Sequence, residues 1–416
     1  MSDVVVRTRF GEVRGQRSDD VARFLGIPYA TAERFGAPMP VAPWDGVRDA
    51  LDFGPTAPGA ELLPPIYGTS PKIPGDDCLN LNVWTPSTTG ERPVLVWIHG
   101  GANTMGSSAQ PVFDGTAFAR DGVVLVSINY RLGVEGFGQL PDAVPNRGRR
   151  DQIAALEWVR DNISAFGGDP AHVTVAGISA GAGAVLALLS LGTGLFRRAV
   201  IQSGLLHGAH DAADAALVTA EVARRAGVEP TAEGLRAVDR DKLAALAVTV
   251  DGEVGSNPDP ALWGPSVAAT GMGFSTVIDG SLVTADPWQR VLDGVGQDVD
   301  VLIGTASDEL LLMLPGDPDQ AAMLTQAMFR GPVRDFAETR PGRTFVYEFA
   351  WPSSLPGAGA AHALDVSFVF DAIGITPLEG DDPPQKLADT MHRAWVDFVT
   401  TGNPGWPAHP AEMRFE

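Results

Sequence analysis

Apolar residues follow two rhythms along this 416-residue chain. Over residues 4–15 and 21–27 they alternate with polar ones, interrupted by Gly11, Gly15 and Gly26, and this period of two predicts a small antiparallel ribbon. Pro38 to Asp77 is rich in proline and glycine and reads as irregular surface chain. Apolar runs of strand length follow at Leu79 to Trp84, Val94 to Ile98 and Val123 to Tyr130. From Asp151 to Phe166 the rhythm changes: Ile153, Leu156, Val159, Ile163 and Phe166 recur every three or four residues, which predicts a helix. His172 to Ala176 is β-branched and apolar, whereas Ala182 to Leu189 is rich in helix formers. The alternation continues with strand Ala199 to Gln202, helix 212–227, strand Val299 to Gly304, a helical stretch near Gln320 to Glu338, strand Thr344 to Trp351 and helix Pro384 to Thr400. The expected fold class is α/β, a mostly parallel central sheet with helices on both faces. We find no internal repeat and no long linker, so the expectation is one domain over 1–416 with a variable helical excursion at about 205–340.

Between the run at His172 and the helix at Ala182 stands Gly177-Ile178-Ser179-Ala180-Gly181, a G-x-S-x-G pentapeptide in the strand–turn–helix context of a nucleophile elbow. A serine hydroxyl is a weak nucleophile near neutral pH, so it needs a base within hydrogen-bond reach and a carboxylate to orient that base. Where these groups come from loops after successive parallel strands, the chain order is serine, acid, histidine. That order removes His99 and His172. His207 and His210 come before the next strand, His392 lies within a helix and His409 in a proline-rich tail. His362 follows a strand and the loop Pro356 to Ala361, and it is the candidate base. Asp308 and Glu309 both lie just past the strand ending at Gly304, and order alone does not choose between them. His99-Gly100-Gly101-Ala102 follows the run ending at Ile98, where backbone NH groups would form an oxyanion hole with the NH of Ala180 at a helix N-terminus.

Composition narrows the partners. The apolar fraction of 44% supports a sizeable core. A formal charge of −21 and a pI near 4.6 argue against nucleic acid or an anionic membrane as partner and read as a solvated acidic surface. Cys78 is the sole cysteine, which forbids an intrachain disulfide and fits the cytoplasm. The first residues read as a strand and not as a signal peptide, and no stretch has the length of a membrane span. The histidines are scattered without metal-ligand spacing, so neither metal nor organic cofactor is implied.

These motifs resemble the type B carboxylesterase family, bacterial para-nitrobenzyl esterases included. The resemblance rests on Phe24 to Ala30, on Asp77-Cys78-Leu79-Asn80-Leu81-Asn82-Val83-Trp84, on Val96 to Gly101, on Asn129 to Gly133 and on Ala165 to Pro170. It continues through the elbow, Gln202-Ser203-Gly204, the segment Ile303 to Glu309, and His362 with Phe368-Val369-Phe370. The family implies an α/β-hydrolase fold, hydrolysis of carboxylic esters through an acyl-enzyme, a triad of Ser179, Glu309 and His362, and oxyanion donors at Gly101, Ala102 and Ala180. The same residues would serve a hydrolase of carbamates, amides or lactones. Some members have lost the serine and act as binding modules, which the intact Ser179, Glu309 and His362 argue against.

Four departures from the family pattern stand out. Ile178 replaces a usual glutamate, which implies weaker attraction for cationic substrates and a lower histidine pKa than such a glutamate would give. Ala102 and Asn103 replace a third glycine and an aromatic residue, so Ile178 and Asn103 are candidate substrate contacts. Cys78 stands without the partner it has in animal members, and no tryptophan lies between Gly59 and Asp77, so cholinesterase activity is not expected. Glu309 and His362 are only 53 positions apart, a shortening that falls near Pro315 to Gln320.

Overall fold

The structure, a computed structural model, describes residues 2–416. The N-terminal ribbon is formed by β1 (Ser2–Arg7), β2 (Glu12–Ser18) and β3 (Val21–Pro28), joined antiparallel. It does not stand apart from the rest. After the irregular stretch come β4 (Asn80–Thr85), β5 (Arg92–Ile98) and β6 (Val124–Ile128), and β4 pairs antiparallel with both β3 and β6. From β6 onward every pairing is parallel. The order across the sheet is β6, β5, β7 (Gly168–Ile178), β8 (Arg198–Gln202), β9 (Asp300–Ala306), β10 (Thr344–Phe349) and β11 (Glu412–Phe415). With the three-residue strand Val47–Asp49 beside β2, the sheet has twelve strands among the described residues.

Buried strands of a parallel sheet are apolar on both faces because helices cover both. Alternate residues of these runs accordingly feed two separate cores. Val94, Val96 and Ile98 of β5 face one core with Leu156 and Val159 of helix α1 (Arg147–Asn162) and Val185 and Leu188 of α2 (Ala180–Leu191). Leu95 and Trp97 face the other, with Met391, Trp395 and Phe398 of a C-terminal helix, Gln385–Thr401. The expected excursion at 205–340 contains the helices Ala212–Ala226 and Arg240–Ser256 and several shorter ones, together with β9.

Two features escape the apolar rhythm. Helix α1 starts at Arg147, a turn before the expected Asp151, because its first turn is polar yet buried: the Arg147 guanidinium donates to the carbonyls of Val134, Glu135, Gly138 and Val144. Strand β11 lies beyond the tail expected to be irregular, and its four residues are too few to show a period.

Arg131, in the loop after β6, meets Asp151 of α1 in a bidentate pair of 2.8 and 2.6 Å, and the same carboxylate accepts the Arg131 NH. Both side chains are almost wholly buried, at 4% and 0% exposure, so losing one partner strands the other's charge. Asp151→Asn is expected to destabilise the fold by about 3 to 5 kcal/mol, read as a lowered urea midpoint at unchanged slope. An unchanged midpoint would remove the pair from the account of stability.

Candidate active site

β7 ends at Ile178 and α2 begins at Ala180, so Ser179 is the whole of the turn between them. Its backbone, φ 58° and ψ −122°, lies where side chains are disfavoured, and its NH is fixed on the carbonyl of Gln202 at 2.9 Å. The flanking glycines are needed for space. A Cβ on Gly177 would lie 2.5 Å from the Gly181 carbonyl, and one on Gly181 would lie 2.2 Å from the Ile98 carbonyl. The helix therefore approaches β5 closely enough to lift Ser179 beside the loop that follows Ile98.

That loop is held in an unusual shape. Gly101, Ala102 and Asn103 all have positive φ, at 111°, 53° and 59°. The Gly101 carbonyl accepts the NH groups of Thr104 and Met105, while the NH groups of Gly101 and Ala102 find no acceptor among the described residues. A Cβ at Gly101 would lie 2.2 Å from the Met105 carbonyl, so the turn requires glycine there. His99 lies beneath, stacked on Tyr130 at 4.5 Å, and burial pulls its pKa down to about 4, which keeps the ring neutral.

The two carboxylates after β9 have separate functions. Glu309 is fully buried, and its Oε2 lies 2.5 Å from His362 Nδ1 while its Oε1 accepts the Ala306 NH at 2.8 Å. Asp308 instead grips the histidine-bearing loop: its Oδ2 accepts the Ala360 NH at 2.9 Å and its own NH donates to the Ala360 carbonyl at 3.0 Å. Glu309 thus lies on the imidazole and Asp308 on the strap beside it. Phe329, on a π-helical turn at Gln326–Arg330, packs its ring 5.9 Å from that of His362.

A third acid, Asp365, was not singled out in the sequence. It is fully buried one turn past His362 and accepts from Tyr347 Oη at 2.9 Å and Gln202 Nε2 at 3.1 Å. Gln202 thus holds Ser179 with its carbonyl and Asp365 with its side chain. Burial, followed by the charge of Glu309, pushes the Asp365 carboxyl up to about 6. Burial lowers the proton affinity of His362, but Glu309, and more weakly Asp365, outweigh it, so its pKa stands above the ordinary value. The loss of a glutamate at position 178 therefore does not leave the imidazole with a single acid. The one signal in the sequence is a lone carboxylate inside Ala363-Leu364-Asp365-Val366.

Two cavities meet at Ser179 and His362. The smaller, about 230 Å³, is walled by Tyr67, Phe113, Ile178 and Leu378; the larger, about 580 Å³, by Asn103, Leu205, Met272, Met328 and Phe329. Ile178 and Asn103 thus fall in different cavities. Asn103 is buried, donating to the Phe274 carbonyl at 3.0 Å while its Oδ1 has no partner among the described residues. Cys78 lies elsewhere, buried and unpaired, with its thiol pushed up to about 12 by burial. Among the described residues no group of three or more His, Cys, Asp or Glu is arranged to hold a metal, and no helix is long and apolar enough to cross a membrane.

The carboxylesterase family model matches residues 2–327 and 317–412, nearly the whole chain. The chain belongs to the carboxylesterase family. The two matched stretches join at 317–327, beside the shortening expected near Pro315 to Gln320. The esterase is 31% identical over 472 residues to para-nitrobenzyl esterase of Bacillus subtilis (strain 168), covering 100% of this chain and 94% of that protein. It is 32% identical to phenmedipham hydrolase of Pseudarthrobacter oxydans, over 98% and 93% of the two chains. A solved PNB esterase structure superposes with a TM-score of 0.88 at 30% identity, covering 99% and 95%. A carboxylesterase of Geobacillus stearothermophilus gives 0.81 at 32% identity, covering 97% and 94%. The esterase thus has the α/β-hydrolase fold of its relatives and is a carboxylic-ester hydrolase.

The elbow geometry carries a stability consequence. The conformation of Ser179 suits glycine, so Ser179→Gly is expected to be more stable than Ser179→Ala by about 1 kcal/mol or more, measured by chemical denaturation. Equal stabilities would mean that the turn is not strained.

Proposed function

We propose that Ser179 is the nucleophile of this serine carboxylesterase, His362 its general base and Glu309 the carboxylate that orients the imidazole. The observation that carries this reading is the contact of Glu309 Oε2 with His362 Nδ1 at 2.5 Å in a fully buried setting. With Nδ1 engaged, Nε2 is the ring nitrogen left to take the serine proton, and the buried carboxylate stabilises the imidazolium that forms. Ser179 attacks the ester carbonyl and His362 accepts its proton. The NH groups of Gly101, Ala102 and Ala180, without acceptors among the described residues, receive the oxyanion, aided by the dipole of α2. The imidazolium then protonates the departing alkoxide, and water repeats the sequence to release the acid.

The two cavities on either side of Ser179 suit the two arms of an ester, one compact and one larger. We treat 1–416 as one hydrolase unit whose variable region, about 205–340, supplies much of the larger cavity's wall, including Leu205, Met272 and Met328. A small-molecule ester is the substrate in this reading. The acidic surface disfavours nucleic acid, and the single buried thiol suits the cytoplasm.

A fluorophosphonate probe is expected to modify wild-type protein stoichiometrically at Ser179 and Ser179→Ala not at all. Labelling that survives the substitution would sink the assignment. Glu309→Gln is expected to lower kcat by about 10⁴ by favouring the wrong tautomer. The acid limb of kcat/KM follows protonation of His362, so a change that raises its pKa moves that limb to higher pH. Ile178→Glu adds negative charge and should move the limb up; Asp365→Asn removes it and should move the limb down. Limbs unmoved in both variants would exclude His362 as the base.

A further inference from the structure

Three buried arginines lie close in sequence, and their partners differ. Arg131 has the Asp151 carboxylate at 2.6 Å. Arg147 donates to four backbone carbonyls. Arg149, on the first turn of α1 and only 2% exposed, has neither. Its Nε donates to Thr276 Oγ1 at 2.8 Å and its Nη1 to Gln152 Oε1 at 3.1 Å, while its Nη2 has no acceptor among the described residues. Two hydrogen bonds to neutral groups, and the face of the Phe137 ring 5.0 Å from its Cζ, serve a cation with five donors, and none of them supplies a counter-charge. The one titratable group that bears on it electrostatically is the hydroxyl of Tyr130, which burial keeps protonated. Burial brings the guanidinium down to about 10, so it is still charged at neutral pH.

A buried charge with no counter-ion is costly to the fold unless something pairs with it. Arg149 lines the larger cavity, the one that opens onto Ser179 and His362. The same cavity, otherwise mostly apolar, also carries the polar side chains of Thr270, Ser275, Thr276 and Asn103. A guanidinium that lines a cavity beside Ser179 and keeps N–H groups without acceptors among the described residues is matched by a carboxylate, whose two oxygens fit its fork.

We propose that Arg149 binds a carboxylate carried by the substrate arm that enters the larger cavity, making carboxylate-bearing esters the preferred substrates. This rests on the esterase reading above and adds the charge of the substrate to it. The carboxylate belongs either to the acyl arm, as in half-esters of dicarboxylic acids, or to the leaving alcohol.

Two matched pairs of esters separate these sources. The acyl pair is para-nitrophenyl hydrogen glutarate and para-nitrophenyl pentanoate; the alcohol pair is the butanoate of para-hydroxybenzoate and that of para-hydroxyacetophenone. Each is assayed with wild type, Arg149→Met and Arg149→Lys. Arg149→Met is expected to lower kcat/KM for the anionic member of one pair by about ten- to a hundredfold, the worth of a charge-assisted hydrogen bond, with neutral esters changed less than about twofold. The pair that responds names the arm, and lysine should recover part of the loss. Equal losses for anionic and neutral esters, or no loss for either anionic ester, would overturn the proposal and leave Arg149 a structural cation. Should Arg149→Met fail to fold, the wild type still decides. Glutarate should inhibit pentanoate hydrolysis competitively and neutral glutaramide should not; equal inhibition by both, or by neither, overturns it. Wild type that cleaves no neutral ester and takes up no fluorophosphonate refutes the esterase reading, and the proposal with it. Neutral esters cleaved without any response to a carboxylate refute the proposal alone.

Discussion

Everything at the site depends on how closely one helix is allowed to approach one strand. Helix α2 lies so near β5 that a methyl group at Gly181 would collide with the Ile98 carbonyl, and Ile98 is the residue from which the loop His99 to Asn103 departs. One backbone contact therefore sets the height of Ser179 and its distance from the NH groups of Gly101 and Ala102. The unfavourable φ of Ser179 follows from it, because a strand leading this directly into a closely packed helix has no room for a relaxed turn. The Gln202 carbonyl on the next strand closes the arrangement by holding the Ser179 NH.

The parts of this architecture visible in the sequence are those with a local cause. Runs such as Val94 to Ile98 are apolar because both faces of the strand are covered, and the elbow glycines recur at a spacing that the turn itself dictates. What stayed hidden has a tertiary cause. Asp308 and Glu309 are neighbours with the same chemistry, and only the fold turns one to the imidazole and the other to the loop at Ala360. Asp365 is a lone charge and Arg149 stands within the charged run Arg147 to Asp151, and nothing in the local sequence of either tells that it is buried. The walls of the larger cavity come from segments as far apart as Asn103 and Phe329, whose meeting no local pattern encodes.

The electrostatics of the esterase differ between surface and interior. The chain as a whole is strongly acidic, which discourages the approach of anions over distances of about a Debye length, roughly 8 to 10 Å in ordinary buffers. Around His362 the interior is acidic too, with Glu309 and Asp365 favouring the imidazolium. In the lining of the larger cavity the sign reverses at Arg149. Charge discrimination at short range is thereby separated from steering at long range: the outer field acts on encounter, whereas a contact inside the cavity is shielded from salt and acts on the bound state.

The strap between Asp308 and Ala360 bears on how this enzyme can change in evolution. It ties together the two ends of the chain segment separating Glu309 from His362, so the hydrogen bond between these two residues is fixed where the segment closes, with Phe329 and Tyr347 inside the segment also touching His362 and Asp365. Closing a flexible loop depends only weakly on its length once the ends are joined. Residues can then be added to or removed from the span near Pro315 to Gln320, which lines neither cavity, without detuning the contact between Glu309 and His362, so chain length there can vary at little cost to the site.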